Sequence, residues 1–210
     1  QIKMQNIRYF VKTIFDIGFS RNFGRIKYEI KKKVFNCLPG RINLMLLACA
    51  GKAPEFKQIL DKLKIQGPSK KYDDFFEGEI KFKFLNDEKV LKFPINWQSS
   101  EFSQLWRFNL HYFDWARKLI EKGIEKNNFN IREIGLLFFL IDDWVDKNTP
   151  GHGDGWHSYT VSLRIRNWIL IFRTFPDLVK QKYLDSLWHQ ICWLRRNKEK
   201  HLGGNHWLEN

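Results

Sequence analysis

The amino-acid sequence predicts a mainly α-helical protein with one small β-hairpin near residues 79–93. From Trp97 onward, apolar residues recur at spacings of three and four, which is the period of helices with a buried face. Residues 79–84 alternate polar and apolar residues instead, which is the period of a half-buried strand. The aromatic content is 16%, with 19 Phe and 9 Trp, and this favours a thick aromatic core over disorder.

The first 78 residues are predicted to form a basic helical segment, and residues 79–210 a second unit. Turn and break signals interrupt the first segment at Gly18, at Gly24, at the Pro39-Gly40 pair and at residues 67–69. Helices are expected between these signals, over residues 1–36, 41–50 and 55–64. The first of them is amphipathic.

The net charge of +13 is unevenly distributed. Residues 1–96 hold 20 basic and 10 acidic residues, whereas residues 97–210 hold 16 and 13 and contain every Trp of the chain. A basic surface attracts polyanions of any kind and does not select one. For the lysine run at residues 31–33, a solvated helix face is the alternative interpretation.

The second unit begins with the hairpin and continues almost entirely as helix. We expect strands at residues 79–84 and 90–93, with a turn at residues 86–88 between them and Pro94 ending the second strand. Apolar periodicity predicts four helices, around residues 105–119, 131–145, 163–172 and 184–194. Several of these are apolar around most of their circumference, so they are buried on two sides. This favours a layered helical array or toroid over a simple bundle.

A glycine-rich loop at residues 151–159 leads into the third of these helices. Its glycines permit unusual backbone conformations and close approach to a ligand, so Trp156, His157 and Tyr159 are candidates to stack on and hydrogen-bond a sugar ring. A metal site at His152, Asp154 and His157 is less favoured, because the spacing matches no common zinc pattern. The alternative is a structural turn in which Trp156 fills the core.

Two further clusters could carry chemistry. On one continuous helix, Arg107, His111 and Asp114 would share a polar face that lines either a cleft or ordinary solvent. Near the C-terminus, Asn205, His206 and Glu209 could form an acid–base or charge-neutralising cluster, although Asn205 and Glu209 also suit helix capping.

Four motifs follow one another in this chain: FKFLN, LWRFNLHYFDW, PGHGDGWHSYTVSLRIRNWI and HLGGNHWLEN. In that order and spacing they resemble the N-terminal part of heparinase II/III-type polysaccharide lyases. That family carries a similar W-H-x-Y-x-x-S-x-R-x-x-N-W stretch on the helices of its toroid, and an N-H-x-x-E-N stretch that begins a later helix. The resemblance covers about residues 80–210, and residues 1–78 match loosely.

The resemblance implies an incomplete (α/α) toroid that cleaves acidic polysaccharides by β-elimination. In this chemistry a uronic acid loses its C5 proton and the bond to the C4 oxygen breaks. A donor that neutralises the adjacent carboxylate stabilises the enolate-like transition state by roughly 3–4 kcal/mol. The resemblance assigns that role to Asn205, and it matches His206 and Glu209 to positions used in catalysis or substrate binding. We expect substrate contacts from Arg107, His111, Trp156, His157 and Tyr159.

The resemblance also places essential parts of the enzyme elsewhere. The family's proton-transferring Tyr, a further His, the second half of the toroid and a β-sandwich domain all follow the stretch that matches residues 205–210. We therefore expect this 210-residue chain to bind glycan poorly and to cleave none. The elimination needs no redox cofactor, and the structural metal of some relatives belongs to the C-terminal region, so we expect neither a cofactor nor a metal.

Two other function classes fit parts of the sequence. A non-catalytic protein that binds or assembles the acidic glycans of a bacterial surface-polysaccharide system would use the same scaffold without the downstream Tyr and His. A nucleic-acid binder would interleave cations with exposed aromatic residues. Here the Trp residues have core spacing and the charge lies elsewhere, so nucleic acid is not an expected partner.

The sequence gives little direct information on compartment. The longest apolar stretch, residues 42–50, is too short to cross a bilayer, so no transmembrane segment is expected. No signal peptide is evident, which leaves periplasmic and cytoplasmic locations open. The three Cys residues form no CxxC pair, and their odd number favours buried free thiols in a reducing compartment.

Overall fold

The computed structural model describes residues 19–46 and 78–197, which are mainly helical and include one two-stranded sheet. In chain order, the elements are α1 (Phe19–Cys37), α2 (Gly40–Leu46), β1 (Glu79–Phe84), β2 (Asp87–Lys92), α3 (Gln104–Tyr112), α4 (Asp114–Glu125), α5 (Ile131–Lys147), α6 (Ser158–Thr174) and α7 (Gln181–Asn197). Single 3₁₀ turns, Asp154–Trp156 and Pro176–Leu178, precede α6 and α7. The mainly α-helical fold with a small hairpin is confirmed, while the helix and loop predicted within residues 55–69 lie outside the described residues.

The hairpin is antiparallel and is closed by a two-residue turn. Glu79 pairs with Lys92 at one end of the ladder and Phe84 with Asp87 at the other. The turn residues Leu85 and Asn86 both have positive φ, 53° and 63°, which is the geometry of a type I′ turn and matches the twist of the strands. The predicted turn at residues 86–88 is therefore misplaced, because so tight a loop leaves residues 87 and 88 to pair in β2.

The helix predicted over residues 105–119 is two helices. Phe113 adopts a left-handed backbone, φ 58°, so that α3 ends before it and α4 begins after it. Its fully buried ring stacks on Trp97 at a centroid distance of 5.9 Å and meets Trp168 edge-on at 5.6 Å. This packing holds a backbone that is unfavourable for a bulky residue. Asp114 consequently belongs to a different helix from Arg107. The prediction that Arg107, His111 and Asp114 share one polar helix face is therefore wrong.

α6 is the central helix of the described core. It packs against α3, α4 and α7, and α5 packs against α7. The N-terminal helix α1 joins this core through Phe35, which meets Trp193 edge-on at 4.8 Å. The Lys31 ammonium also donates to the Arg196 carbonyl at 2.9 Å. The site described below lies where α1, α3 and the start of α6 come together.

Three smaller predictions have mixed outcomes. The predicted chain break at Pro39-Gly40 is confirmed, but the predicted turn at Gly24 is wrong, because α1 continues through it. The buried free thiols are wrong for two cysteines, since Cys37 is exposed and free and Cys192 is disulfide-bonded. The third cysteine, Cys49, lies outside the described residues. None of the helices within residues 19–46 and 78–197 is long and apolar enough to cross a membrane.

The hairpin turn offers a test of backbone strain. Leu85 is 59% exposed and left-handed, so Leu85→Asn relieves strain without losing core packing. We expect the free energy of unfolding to rise by about 0.5–1 kcal/mol, measured by urea denaturation. The matched control is Leu105→Asn at an exposed position of α3, which should lower that free energy by up to about 0.5 kcal/mol. An equal effect at both positions would show that backbone conformation is not the cause.

Candidate functional site

The glycine-rich loop before α6 is packed tightly against its surroundings. Gly151 and Gly153 have positive φ, 83° and 67°. A Cβ atom on Gly153 would lie 2.6 Å from the Gln98 amide nitrogen, and one on Gly155 would lie 3.0 Å from the His111 ring. The glycines are therefore required by left-handed backbone and by close packing of the loop itself, which does not need a ligand to explain it.

Trp156 belongs to the core. It is 3% exposed, its indole N–H donates to the Asn148 carbonyl at 3.2 Å, and its ring meets Trp193 edge-on at 5.7 Å. A ring so enclosed has no face left for a sugar. The structure therefore corrects the expected substrate contact of Trp156 in favour of the alternative in which it fills the core.

His111 is also enclosed, with no exposed surface. The Trp144 indole N–H donates to Nδ1 at 2.9 Å, and Nε2 lies 3.1 Å from the Trp97 carbonyl. Because an indole can only donate, Nδ1 carries no proton, and the ring is the neutral tautomer whose Nε2–H donates to Trp97. The pKa of His111 lies well below its ordinary value, mainly because the ring is buried and also because the positive charge of Arg164 is near. The expected substrate contact of His111 is corrected to a structural role.

Arg107 holds the loop in place. Its Nε donates to the Asp154 carboxylate at 2.7 Å, and its Nη1 donates to the carbonyls of Ser99 and Phe102. Gln104 donates to the other oxygen of Asp154 at 3.0 Å. The side chains of this ion pair are only 17% and 11% exposed. The Arg107 charge is thus compensated, and most of its donors serve the protein's own structure.

A group of four rings lies beside this ion pair, and we call it the aromatic patch: Phe108, Tyr112, His157 and Tyr159. The ring centroids of Phe108 and His157 are 5.0 Å apart, and those of Tyr112 and Tyr159 are 5.9 Å apart. Phe108, His157 and Tyr159 are partly exposed, whereas Tyr112 is nearly buried. The pKa of Tyr112 lies far above its ordinary value, mainly because the side chain is buried and also because Tyr159 is near. The Tyr112 hydroxyl therefore stays protonated.

A small cleft adjoins the aromatic patch, and we call it the Lys32 cleft. It is lined by Lys32 of α1, by Gly153 and His157 of the loop, and by Asn197 at the end of α7. The Ser158 hydroxyl donates to the Asn197 carbonyl, so the chain leaves α7 next to the start of α6. His157 is therefore shared between an aromatic surface and a cleft that contains a cation.

The three residues considered for a metal have different partners. His152 lies with Nε2 at 2.6 Å from the Leu38 carbonyl, Asp154 is paired with Arg107, and the His157 ring lies on Phe108. Within the ranges that the structure describes, no group of three potential metal-ligating side chains comes together.

The structure brings together some predicted site residues and adds others. His157 and Tyr159 lie in the aromatic patch with Arg107 beside it, whereas Asn205, His206 and Glu209 lie outside the described residues. Sequence reasoning missed Phe108 and Tyr112, whose four-residue spacing was assigned to the core. It also missed Lys32 as a site residue, because the lysine run fitted a solvated face.

Comparisons with known proteins add no further assignment. Models of known families, curated proteins and solved structures yield no match to this chain.

The His111 tautomer predicts a pH dependence of stability. The native ring stays neutral, whereas the unfolded chain binds a proton below about pH 6.5. The free energy of unfolding should therefore fall as the pH drops below about 6.5, by up to about 1.4 kcal/mol per pH unit from this ring until its native pKa is reached. Urea denaturation across this range measures the slope, and His111→Gln should reduce it.

NMR titration provides a direct check on the same ring. The His111 carbon signals should not shift as the pH is lowered through about 6.5 while the protein stays folded. A His111 titration at the ordinary value would contradict the tautomer deduced from Trp144.

Proposed function

We propose that this chain supplies part of the binding surface for uronic-acid-containing polysaccharides and forms the first part of an incomplete (α/α) toroid of a polysaccharide lyase. The observation that carries the proposal is the position of His157, which joins the aromatic patch to the Lys32 cleft. A sugar ring offers an apolar face and hydroxyl groups, and a uronate adds a carboxylate. Aromatic rings can pack against the apolar face of the sugar, and a neighbouring cation can pair with the carboxylate of the uronate.

The aromatic patch supplies the surface for a sugar ring. Phe108, His157 and Tyr159 are partly exposed. Phe108 lies next to His157, and Tyr159 is linked to Phe108 through Tyr112. Tyr159 has a polar tip on an apolar ring, so it can pack against a sugar and still hydrogen-bond a hydroxyl group. The patch is built on helices, which gives it a defined shape.

Lys32 supplies the local positive charge. Arg107 is close by, but its charge is compensated by Asp154. Acid recognition at this site therefore depends on Lys32 and on the basic excess of helix α1. The cleft is too small to enclose a carboxylate, so a carboxylate bound at His157 would lie at its mouth, next to Lys32.

The lyase part of the proposal is supported by the resemblance of the four ordered motifs. It assigns the neutralisation of the uronate carboxylate to Asn205, with His206 and Glu209 in catalysis or substrate binding. The end of α7 lies beside His157, so a substrate on the aromatic patch would lie next to Asn197.

A second function, non-catalytic binding of acidic glycans, is favoured by the chemistry of the described groups. Burial keeps Tyr112 protonated, and Asp154 is engaged by Arg107 and Gln104. Neither group is poised to remove the uronate C5 proton. Proton transfer would therefore have to come from groups other than Tyr112 and Asp154.

The Lys32 cleft can be tested with two adjacent lysines of one helix. Lys32→Gln should weaken binding to a uronate polysaccharide such as heparan sulfate or alginate by about fivefold at low salt, because one charge contact of about 1 kcal/mol is lost. Calorimetric titration measures the affinity. Lys33→Gln removes the same charge from an exposed position and should have a much smaller effect. Equal losses in both variants would indicate attraction by net charge, without a site.

The elimination itself is tested by the ultraviolet absorbance of the unsaturated uronate product. We expect a protein that carries this chain with the downstream Tyr and His to release that product, and Asn205→Ala to lower turnover by about a hundredfold or more. A capping role for Asn205 predicts instead a loss of about 1 kcal/mol of stability with near-normal turnover. Glycan binding without product from any uronate polymer would favour the non-catalytic function.

A further inference from the structure

The N-terminal helix α1 carries an apolar stripe that faces solvent. Ile26, Ile30 and Val34 are 58%, 58% and 49% exposed, and they follow one another at intervals of four residues. At about 100° per residue they lie within about 80° of one another around the helix. Single exposed apolar residues are ordinary, but three in a row on one helix face form a patch that calls for a partner.

The stripe does not belong to the contact between α1 and the core. That contact is made by Phe35, which is buried and packs on Trp193. Phe35 lies about 140° around the helix from the centre of the stripe. The following helix α2 adds two more exposed apolar side chains, Ile42 and Met45. Burial of α1 against its own core therefore leaves the stripe uncovered among the described residues.

Exposed cations border the stripe on both sides. Lys27 and Lys33 each lie about 60° from its centre, one on either side, and both are exposed. The ranges of α1 and α2, residues 19–46, contain seven basic residues and one acidic residue. An apolar stripe between cations, on a helix of low overall hydrophobicity, is the pattern of a helix that lies in the interface of a bilayer.

We propose that α1 docks this protein on the surface of a membrane that contains anionic lipids. Ile26, Ile30 and Val34 would enter the boundary between headgroups and acyl chains, while Lys27 and Lys33 would extend toward the lipid phosphates. The association is peripheral, because the apolar part of α1 is a stripe and not a whole circumference.

Charge complementarity favours a bilayer over the other possible occupants of the stripe. The lysines would attract an acidic polysaccharide, but such a polymer would not bury three large aliphatic side chains. A second copy that docked through the same face would cover the aliphatic residues but would bring the same basic surroundings against them. Cover by another segment of this chain is distinguished below by the thermal stability of the stripe variant. An anionic membrane satisfies the stripe and both flanking cations at once.

Cosedimentation of the 210-residue chain with lipid vesicles tests the proposal. We expect binding to vesicles of phosphatidylglycerol and phosphatidylcholine, and little binding to phosphatidylcholine alone. The triple variant Ile26→Gln, Ile30→Gln and Val34→Gln should bind the anionic vesicles at least about tenfold more weakly. The double variant Lys27→Gln and Lys33→Gln should lose about tenfold or more at low salt and less at high salt.

Two controls make the outcome decisive. A second triple variant, Ile124→Gln, Ile131→Gln and Ile169→Gln, changes three comparably exposed isoleucines on other helices and should bind vesicles like the unmodified chain. Circular dichroism and thermal unfolding monitor the fold. Equal loss in both triple variants would overturn the proposal, as would a large fall in thermal stability confined to the stripe variant, since that would mean the chain covers the stripe itself. Loss of polysaccharide binding by the stripe variant with unchanged vesicle binding would overturn it in favour of a glycan surface.

Discussion

The hydrogen bond from the Trp144 indole to His111 is the constraint on which the described core depends. It fixes the imidazole as a neutral ring, which then donates to the Trp97 carbonyl. The segment after the hairpin, α3 and α5 are thereby joined through one fully buried side chain. Protonation of His111 would set an N–H on Nδ1 against the indole N–H of Trp144, so the charged ring is disfavoured by geometry as well as by burial. The same ring also restricts which residue the glycine-rich loop can carry at position 155, because a side chain on Gly155 would press on the ring.

Arg164 extends this polar centre to the other helices, at the cost of a buried charge. It is fully buried in α6, donates to the Gln190 amide oxygen at 2.8 Å and to the His111 carbonyl at 3.3 Å, and lies 3.9 Å from the centre of the Trp144 ring. The cation–π contact and the carbonyls offset part of its desolvation. Arg164 therefore serves the protein's own carbonyl and amide groups and is not open to a glycan acid.

Periodicity predicted the element types well and their faces poorly. The alternation at residues 79–84 and the apolar repeats of α5, α6 and α7 reflect which side chains are buried, and burial shapes sequence directly. The break at Phe113 left no such trace, because a buried aromatic residue fits the apolar repeat whether its backbone is helical or left-handed. The sequence also did not predict that His111 and Arg164 point into the core. Helical spacing shows which residues share a face, but a polar residue is assigned to solvent unless its buried partners are known. Trp144 and Gln190 are 33 and 26 residues away from them, and no local pattern connects such pairs.

The two proposed surfaces use different sides of one helix. Lys32 lines the cleft next to His157, whereas the stripe of Ile26, Ile30 and Val34 is centred about 160° away around α1. A helix that lay on a bilayer through its stripe would therefore hold the Lys32 cleft on the side that faces away from the lipid. Two adjacent lysines would serve opposite purposes, with Lys33 toward lipid phosphates and Lys32 toward a glycan carboxylate. Composition alone assigns this lysine run to a solvated face. The helical twist would instead direct Lys33 toward a membrane and Lys32 toward a polysaccharide. The different binding losses expected from Lys32→Gln and Lys33→Gln follow from these different directions.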